Sequence, residues 1–298
     1  METLIQTVVN GLAIGGTYAL LAIGLAMVFS VLGLVNFAHG ELLTVAGYTM
    51  FGLTQAGLPF WVAAAAGIVT AAAAAIVMER VAFRPLRGAS LETLLLSSLA
   101  VGTILQVLFA QFISPRTRSI STPEFFARQV ELGPISIGGL QLIAIAVVVA
   151  LLVLLSLFMQ RTMLGRSIRA AGVDFETARL VGIRANSMYL LAFGMSGALA
   201  GVAAILWVGQ RGAVDPVMGL TPVIAAFLAT VIGGLGSLSG AAIGGLIYGL
   251  VQVVFEQYLP GAIQPYREAL VLSVLVAILI KFPYGLLTRG GIDSVRRV

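Results

Sequence analysis

Three consecutive stretches decide the fold of this chain: LQLIAIAVVVALLVLLSLFM (140–159), RTMLGRSIRAAGVDFETARLVGIRAN (161–186), and the run from Met188 to Gly209. The first and third are almost wholly apolar and close to the roughly 20 residues that a helix needs to cross hydrocarbon. The middle one carries Arg161, Arg166, Arg169, Arg179 and Arg184 against only Asp174 and Glu176. It is too long for a tight helix–helix turn and too short for a soluble domain. The pattern reads as two membrane spans joined by a compact polar loop, a place where another protein can push.

Composition extends that reading to the whole chain. Of 298 residues, 59% are hydrophobic and 10% charged, where a soluble domain carries about 25% charged. So much apolar surface requires lipid as solvent, with every backbone polar group satisfied internally. The 35 glycines suit close helix packing in membranes. The net charge of +5 is almost all arginine, with Lys281 the only lysine; in a membrane protein it reports orientation and not a nucleic-acid partner. The absence of cysteine excludes disulfides, thiolate metal sites and a cysteine nucleophile. The first apolar run lacks a basic n-region and an A-x-A-like cleavage site, so a retained span is expected. No G-x-x-x-x-G-K-[ST] occurs, which removes ATP binding in a P-loop.

Apolar runs fall at 8–31, 40–57, 60–78, 93–113, 140–159, 188–209, 217–233, 241–258 and 267–283. The alternating pattern of an outer-membrane barrel is missing. The expected fold is therefore all-α: one transmembrane domain over 1–298, a polytopic bundle of eight or nine spans with a short cytoplasmic coupling helix. Arg80, Arg84 and Arg87 lie in one break, the five arginines of 161–186 in another, and Lys281, Arg289, Arg296 and Arg297 end the chain. The positive-inside rule places these three regions, and so the C-terminus, in the cytoplasm. The beginning is less regular. The break Gly33–Gly40 has no basic flank, and a broken or re-entrant helix there changes the count. Four G-x-x-x-G pairs, Gly11/Gly15, Gly197/Gly201, Gly240/Gly244 and Gly245/Gly249, read as packing faces or as a self-dimerising face. Gly-rich spans near both ends hint at an internal repeat.

The string Asn36-Phe37-Ala38-His39-Gly40-Glu41 is the most unusual near membrane depth, and His39 is the only histidine. Ionisable groups there are expensive and face a bundle interior or a wet cavity. Asn36, His39 and Glu41 are thus candidate pathway residues on a broken helix. The competing reading is a helix boundary at the membrane interface, with Glu41 favoured in the first turn of the next helix. Gly233–Gly240 lacks the lysine of a phosphate loop and reads as a tight turn or unwound segment. In the polar loop, Asp174 is a good N-cap, Glu176 sits where the helix dipole favours negative charge, and Gly182 fits the C′ position. A two-turn helix over 175–181 follows. It would suit a groove on a partner or lie on lipid head groups. The 114–138 segment, with Pro115, Pro123 and Pro134, is an external docking surface, a lid or a solvated connection.

At these residues the chain closely resembles the permease subunits of branched-chain amino acid ABC importers. The strings that carry the likeness are 36–41, the basic stretch 79–87, Met163–Ala170 with Asp174, Ala178 and Gly182-Ile183, and Gly233–Ser237 with Gly240-Ala241 and Gly244-Gly245. They come in order, and the likeness as a whole runs from about Asn10 to Pro283. The resemblance implies a transport subunit, not an enzyme, with no cofactor of its own, in the bacterial inner membrane. It implies a second related permease subunit, two cytoplasmic ATPases, an external solute-binding protein, and alternating access between inward- and outward-open states. Arg166, Arg169, Asp174, Glu176 and Arg179 are expected to contact or position the ATPase. Similar permeases serve urea or short amides, which keeps that substrate class open. A proton-coupled secondary transporter using His39 and Glu41 is the alternative from another class. An intramembrane enzyme lacks an acid, base, nucleophile and metal constellation.

Overall fold

The apolar runs fold as helices because a backbone without water can satisfy its hydrogen bonds only within itself. A computed structural model describes residues 2–132, 135–282 and 285–286. In chain order the helices are α1 (Glu2–Leu32), α2 (His39–Gln55), α3 (Phe60–Met78), α4 (Leu91–Phe112), α5 (Glu124–Ala127), α6 (Gly139–Arg161), α7 (Met163–Val173), α8 (Phe175–Leu180), α9 (Ala185–Arg211), α10 (Leu220–Gly233), α11 (Leu238–Tyr258) and α12 (Arg267–Lys281). A π-helical turn, Glu79–Phe83, and a 3-10 turn, Arg84–Leu86, extend α3. Six helical stretches are long and apolar enough to cross a bilayer: Thr3–Leu32, Phe60–Leu86, Leu91–Phe112, Gly139–Arg161, Asn186–Arg211 and Leu238–Tyr258. The other apolar runs fold as shorter helices, α2 with 17 residues, α10 with 14 and α12 with 15. Six, and not eight or nine, is thus the number of described helices that meet the full length.

α1 is the axis of the bundle. It packs on α6, α9, α10 and α11, and residues Ala19–Ile23 are all but inaccessible. The α1–α11 crossing is backbone on backbone: a Cβ on Gly249 would lie 2.2 Å from the Gly15 Cα, and one on Gly245 2.4 Å from the Ala19 Cα. On α9, Gly197 and Gly201 press against Ala71 and Ile68 of α3, while Gly240 and Gly244 of α11 press against Gly233 and Ala229 of α10. All four G-x-x-x-G pairs therefore serve contacts inside this chain. Close approach lets many small dispersion terms accumulate where lipid offers no hydrophobic drive.

Long-range contacts sort the loops into two ends. Arg87 bonds Asn186, Gly172 abuts the Ser30 carbonyl, and Gly236 lies against Phe29. These gather 79–90, α7, α8 and the α10–α11 turn at one end. At the other end β1 (Arg118–Ser119) pairs antiparallel with β4 (Ala213–Val214), Arg118 opposite Val214. Beside it β2 (Gln129–Leu132) and β3 (Ile135–Gly138) form an antiparallel pair, Gln129 opposite Gly138. The segment 114–138 is more than a solvated connection, since Ile120 and Phe126 are buried and Phe126 packs edge-on against Phe60 and Trp61. The C-terminal residues Arg289, Arg296 and Arg297, and Pro134, lie outside the described residues.

Candidate pathway and coupling sites

After α1 ends at Leu32, Gly33 takes φ +68, a left-handed conformation that costs glycine little. It turns the chain back into the bundle. Leu34, Asn36 and Ala38 are buried, and α2 starts at His39, which is 0% exposed. Its first turn is closed by short-range bonds, His39 N–H to the Asn36 carbonyl at 3.1 Å and Glu41 N–H to the Ala38 carbonyl at 3.1 Å. The His39 ring lies against Gly24 of α1. Gly24 is eight residues before the end of α1, about 12 Å along a helix, so α2 begins inside the bundle. The helix boundary thus lies within the bundle, as in a broken, re-entrant element, and not at the exposed end of α1.

The structure does not bring the three polar residues to one point. His39 Nδ1 pairs with Ser196 Oγ of α9 at 3.2 Å, and that hydroxyl donates to the Gly24 carbonyl at 2.9 Å. Glu41 Oε1 accepts from Gln106 Nε2 of α4 at 2.8 Å. Residues two apart on a helix do not share a face, which is why His39 faces α1 and α9 while Glu41 faces α4. Asn36 Nδ2 points to the Met78 sulfur at 3.6 Å. The Asn36 Oδ1 and Glu41 Oε2 atoms are buried without a hydrogen bond among the described residues. Gly40 abuts Gly219 at the start of α10, so two short helices begin side by side within the bundle. Sequence reading missed the partners of this break: Gln106, Ser196, Gly219, and Ser98, whose hydroxyl accepts from the Phe37 N–H at 3.3 Å. Lone polar residues or glycines in apolar runs were the available signal.

The charged loop forms two helices. Thr162 Oγ1 accepts from the Gly165 N–H at 3.0 Å and opens α7. Gly165, Ile168 and Ala171 form its buried face, with Arg166 and Arg169 outside. That spacing of three was a legible helix signal that the sequence reading left unused. Asp174 caps α8 by accepting from the Thr177 N–H at 3.0 Å. At the other end Gly182, at φ +85, donates to the Arg179 carbonyl at 3.0 Å and Ile183 donates to the Ala178 carbonyl at 3.0 Å. This pair of reverse bonds is the Schellman ending. The helix expected over 175–181 thus forms as Phe175–Leu180 with the expected caps. Glu176 lies in its first turn; the side chain itself is outside the described atoms. Leu180 and Val181 project at its tip, 87% and 71% exposed. A notch of about 450 Å³ follows, lined by Arg179, Gly182, Arg184 and Ser187. Arg169 lies elsewhere, on the α6–α11 side of α7.

A further network ties this loop to the first basic one. Glu79 pairs with Arg87, Arg87 also donates to Asn186 Oδ1, and its guanidinium lies 4.3 Å from the Tyr189 ring centroid. The sequence offered Glu79 and Arg87 as part of the basic stretch 79–87, with no sign that they pair with each other or reach Asn186 and Tyr189.

Together these features define a multi-pass α-helical membrane protein whose one arginine-rich end carries a capped, partly apolar projecting helix. The profile described as the branched-chain amino acid transport system permease component matches residues 7–279. The chain is 34% identical to the high-affinity branched-chain amino acid transport system permease protein BraD of Pseudomonas aeruginosa, over 98% of both proteins. It is 32% identical to the corresponding LivH of Escherichia coli K12, over 98% of this chain and 97% of that one. A probable branched-chain amino acid transport permease of Methanocaldococcus jannaschii is 30% identical over 90% of this chain and 87% of its own length. The chain belongs to the branched-chain amino acid transport permease family.

Proposed function

We propose that this chain is the permease subunit of an ABC importer that moves branched-chain amino acids into the cytoplasm across a bacterial inner membrane. Two ATPase subunits drive it from the arginine-rich end, a second related permease completes the pathway, and an external binding protein delivers the solute. The observation that carries the reading is α8: a doubly capped two-turn helix with Leu180 and Val181 exposed beside Arg179 and Arg184. A solvated loop gains nothing from exposed leucine and valine; a helix seated in a groove does. Arg166, Glu176 and Arg179 are the contact candidates, and Asp174 positions them by capping. Arg169 positions α7 from its other side. The α1–α2 break, with Asn36, His39 and Glu41, belongs to the moving interior. The bundle makes eight or nine passes, the six long helices with two or three of α2, α10 and α12, and the C-terminus lies in the cytoplasm.

The test is reconstitution. In liposomes this chain alone should give no ATP-driven leucine uptake, and addition of the second permease, ATPases and binding protein should restore it. Photocrosslinkers at Leu180 or Val181 should capture the ATPase in the working complex. Robust uptake by the lone chain, or no ATPase capture from 166–182 in an active complex, overturns the proposal. Urea or short-amide uptake with no leucine uptake reassigns the solute and leaves the coupling intact.

A further inference from the structure

α6 and α11 both pack on α1 and meet each other hardly at all. They leave between them a cavity of about 620 Å³, floored by Ile23 and Ser30 of α1. Its α6 wall runs from Leu152 to Gln160 and its α11 wall includes Ala242. Arg169 of α7 closes the loop end, exposed and with no ion pair among the described residues. We infer that this groove is a binding site for one anionic phospholipid of the cytoplasmic leaflet, with an acyl chain along α1 and the phosphate at Arg169.

Three observations fix the occupant. Leu152 to Gln160 is eight residue rises, about 12 Å of helix, close to half of a hydrocarbon core of about 30 Å. The groove therefore has the depth of one leaflet, whereas a spanning helix of another subunit would need the whole thickness. Its walls are mostly apolar, with Leu152, Val153, Leu155 and Ile243, and its polar groups lie toward the loop end: the guanidinium, the Gln160 amide with Ser156 one turn before it, and the Ser30 and Ser239 hydroxyls. That is the polarity of a lipid. The sign also matches, because the cytoplasmic leaflet is the anionic one and a guanidinium binds phosphate bidentately. The inference rests on the cytoplasmic placement of α7 but not on the solute or on ATP coupling. A bound headgroup would brace α7, whose Gly172 is seated on the Ser30 carbonyl and which leads directly into α8.

The complete transporter in nanodiscs, exposed to phosphatidylglycerol or phosphatidylcholine carrying a diazirine in the acyl chain, tests this. Labelled peptides from 152–160 and 238–243 should favour phosphatidylglycerol by roughly five-fold, the effect of one basic residue at an anionic surface. Arg169→Gln should reduce that preference to near unity. Ala242→Phe should lower groove labelling by both lipids while labelling of the outward face of α4, at Leu96 and Ile104, stays unchanged. Equal labelling by the two lipids in the native chain overturns the inference. So does capture of the second permease, and not lipid, by crosslinkers placed at Val153 or Ile243. Neither outcome touches the proposed transport role, since none of these readouts is uptake.

Discussion

Cutting the Glu79–Arg87 pair from either side should cost unequal amounts. The Glu79 side chain is 1% exposed and that of Arg87 19%. The second Glu79 oxygen has no hydrogen bond among the described residues, so the carboxylate depends on one guanidinium. Arg87→Met strands a buried carboxylate, which places the loss at about 3–5 kcal/mol. Glu79→Gln leaves Arg87 with Asn186, the Tyr189 ring and some water, so about 2 kcal/mol is expected, the value of one hydrogen bond to a charged group. The double variant strands no charge. It should fall well short of the sum, with a coupling of about 2 kcal/mol, inside the range for residues in one network. Reversible unfolding in mixed micelles, followed by the fluorescence of Trp61 and Trp207, gives all four corners of the cycle. Two equal losses that add within about 0.5 kcal/mol would show that the pair does not hold the 79–90 loop to the start of α9, and the reasoning would fail.

Other outcomes follow from the same geometry. Asp174→Ala removes the α8 cap, a loss of about 1 kcal/mol, and should depress ATP-driven uptake, whereas Asp174→Asn keeps a capping oxygen and should sustain it; an Asn variant as poor as the Ala one would mean that the charge matters. Gly249→Val drives a side chain into the Gly15 backbone and should cost at least the 1–3 kcal/mol typical of overpacking, read as lost folded protein in detergent; a native yield and midpoint would refute the crossing. Ser196→Ala orphans His39 Nδ1 at about 1–3 kcal/mol, measured by the same unfolding titration, and no change would mean that the bond is not formed. Glu41→Gln keeps an acceptor for Gln106 and should retain uptake in the full complex, which a proton-coupled carrier using Glu41 would lose.

Legibility from the sequence followed the range of the interactions. α8 could be read residue by residue because capping is local: Asp174 acts on Thr177, and Gly182 on Arg179. The long spans were legible because hydrocarbon thickness imposes a length on a single run. α2 and α10 were legible as apolar runs but not as helices that begin inside the bundle, because where a short helix starts is set by distant contacts. The Gly40–Gly219 contact that sets those starts joins residues 179 positions apart. The G-x-x-x-G spacing announced close approach without naming the partner, since Gly245 and Gly249 fit another copy of the chain as well as they fit α1. α7 is the one element with a local signal that went unread: its charges drew notice and the Gly165, Ile168, Ala171 spacing did not.

The polar residues near membrane depth teach something narrower. Asn36, His39 and Glu41 stood out because ionisable and amide groups there are costly, and the structure does bury all three. Burial alone predicts only that each needs a partner, and each found a different one: Met78, Ser196 and Gln106. Three partners on three helices make the break a junction: Asn36 ties the segment before α2 to α3, and the first turn of α2 is tied to α9 and α4. A junction of that kind is stiff while every bond is made. It becomes a hinge only if its bonds break together, because α2 cannot rotate without losing His39–Ser196 and Glu41–Gln106 at once. Asn36 Oδ1, His39 Nε2 and Glu41 Oε2 have no hydrogen bond among the described residues and are then the atoms with a bond still to gain. In any alternating cycle such atoms favour whichever arrangement gives them a hydrogen-bond partner.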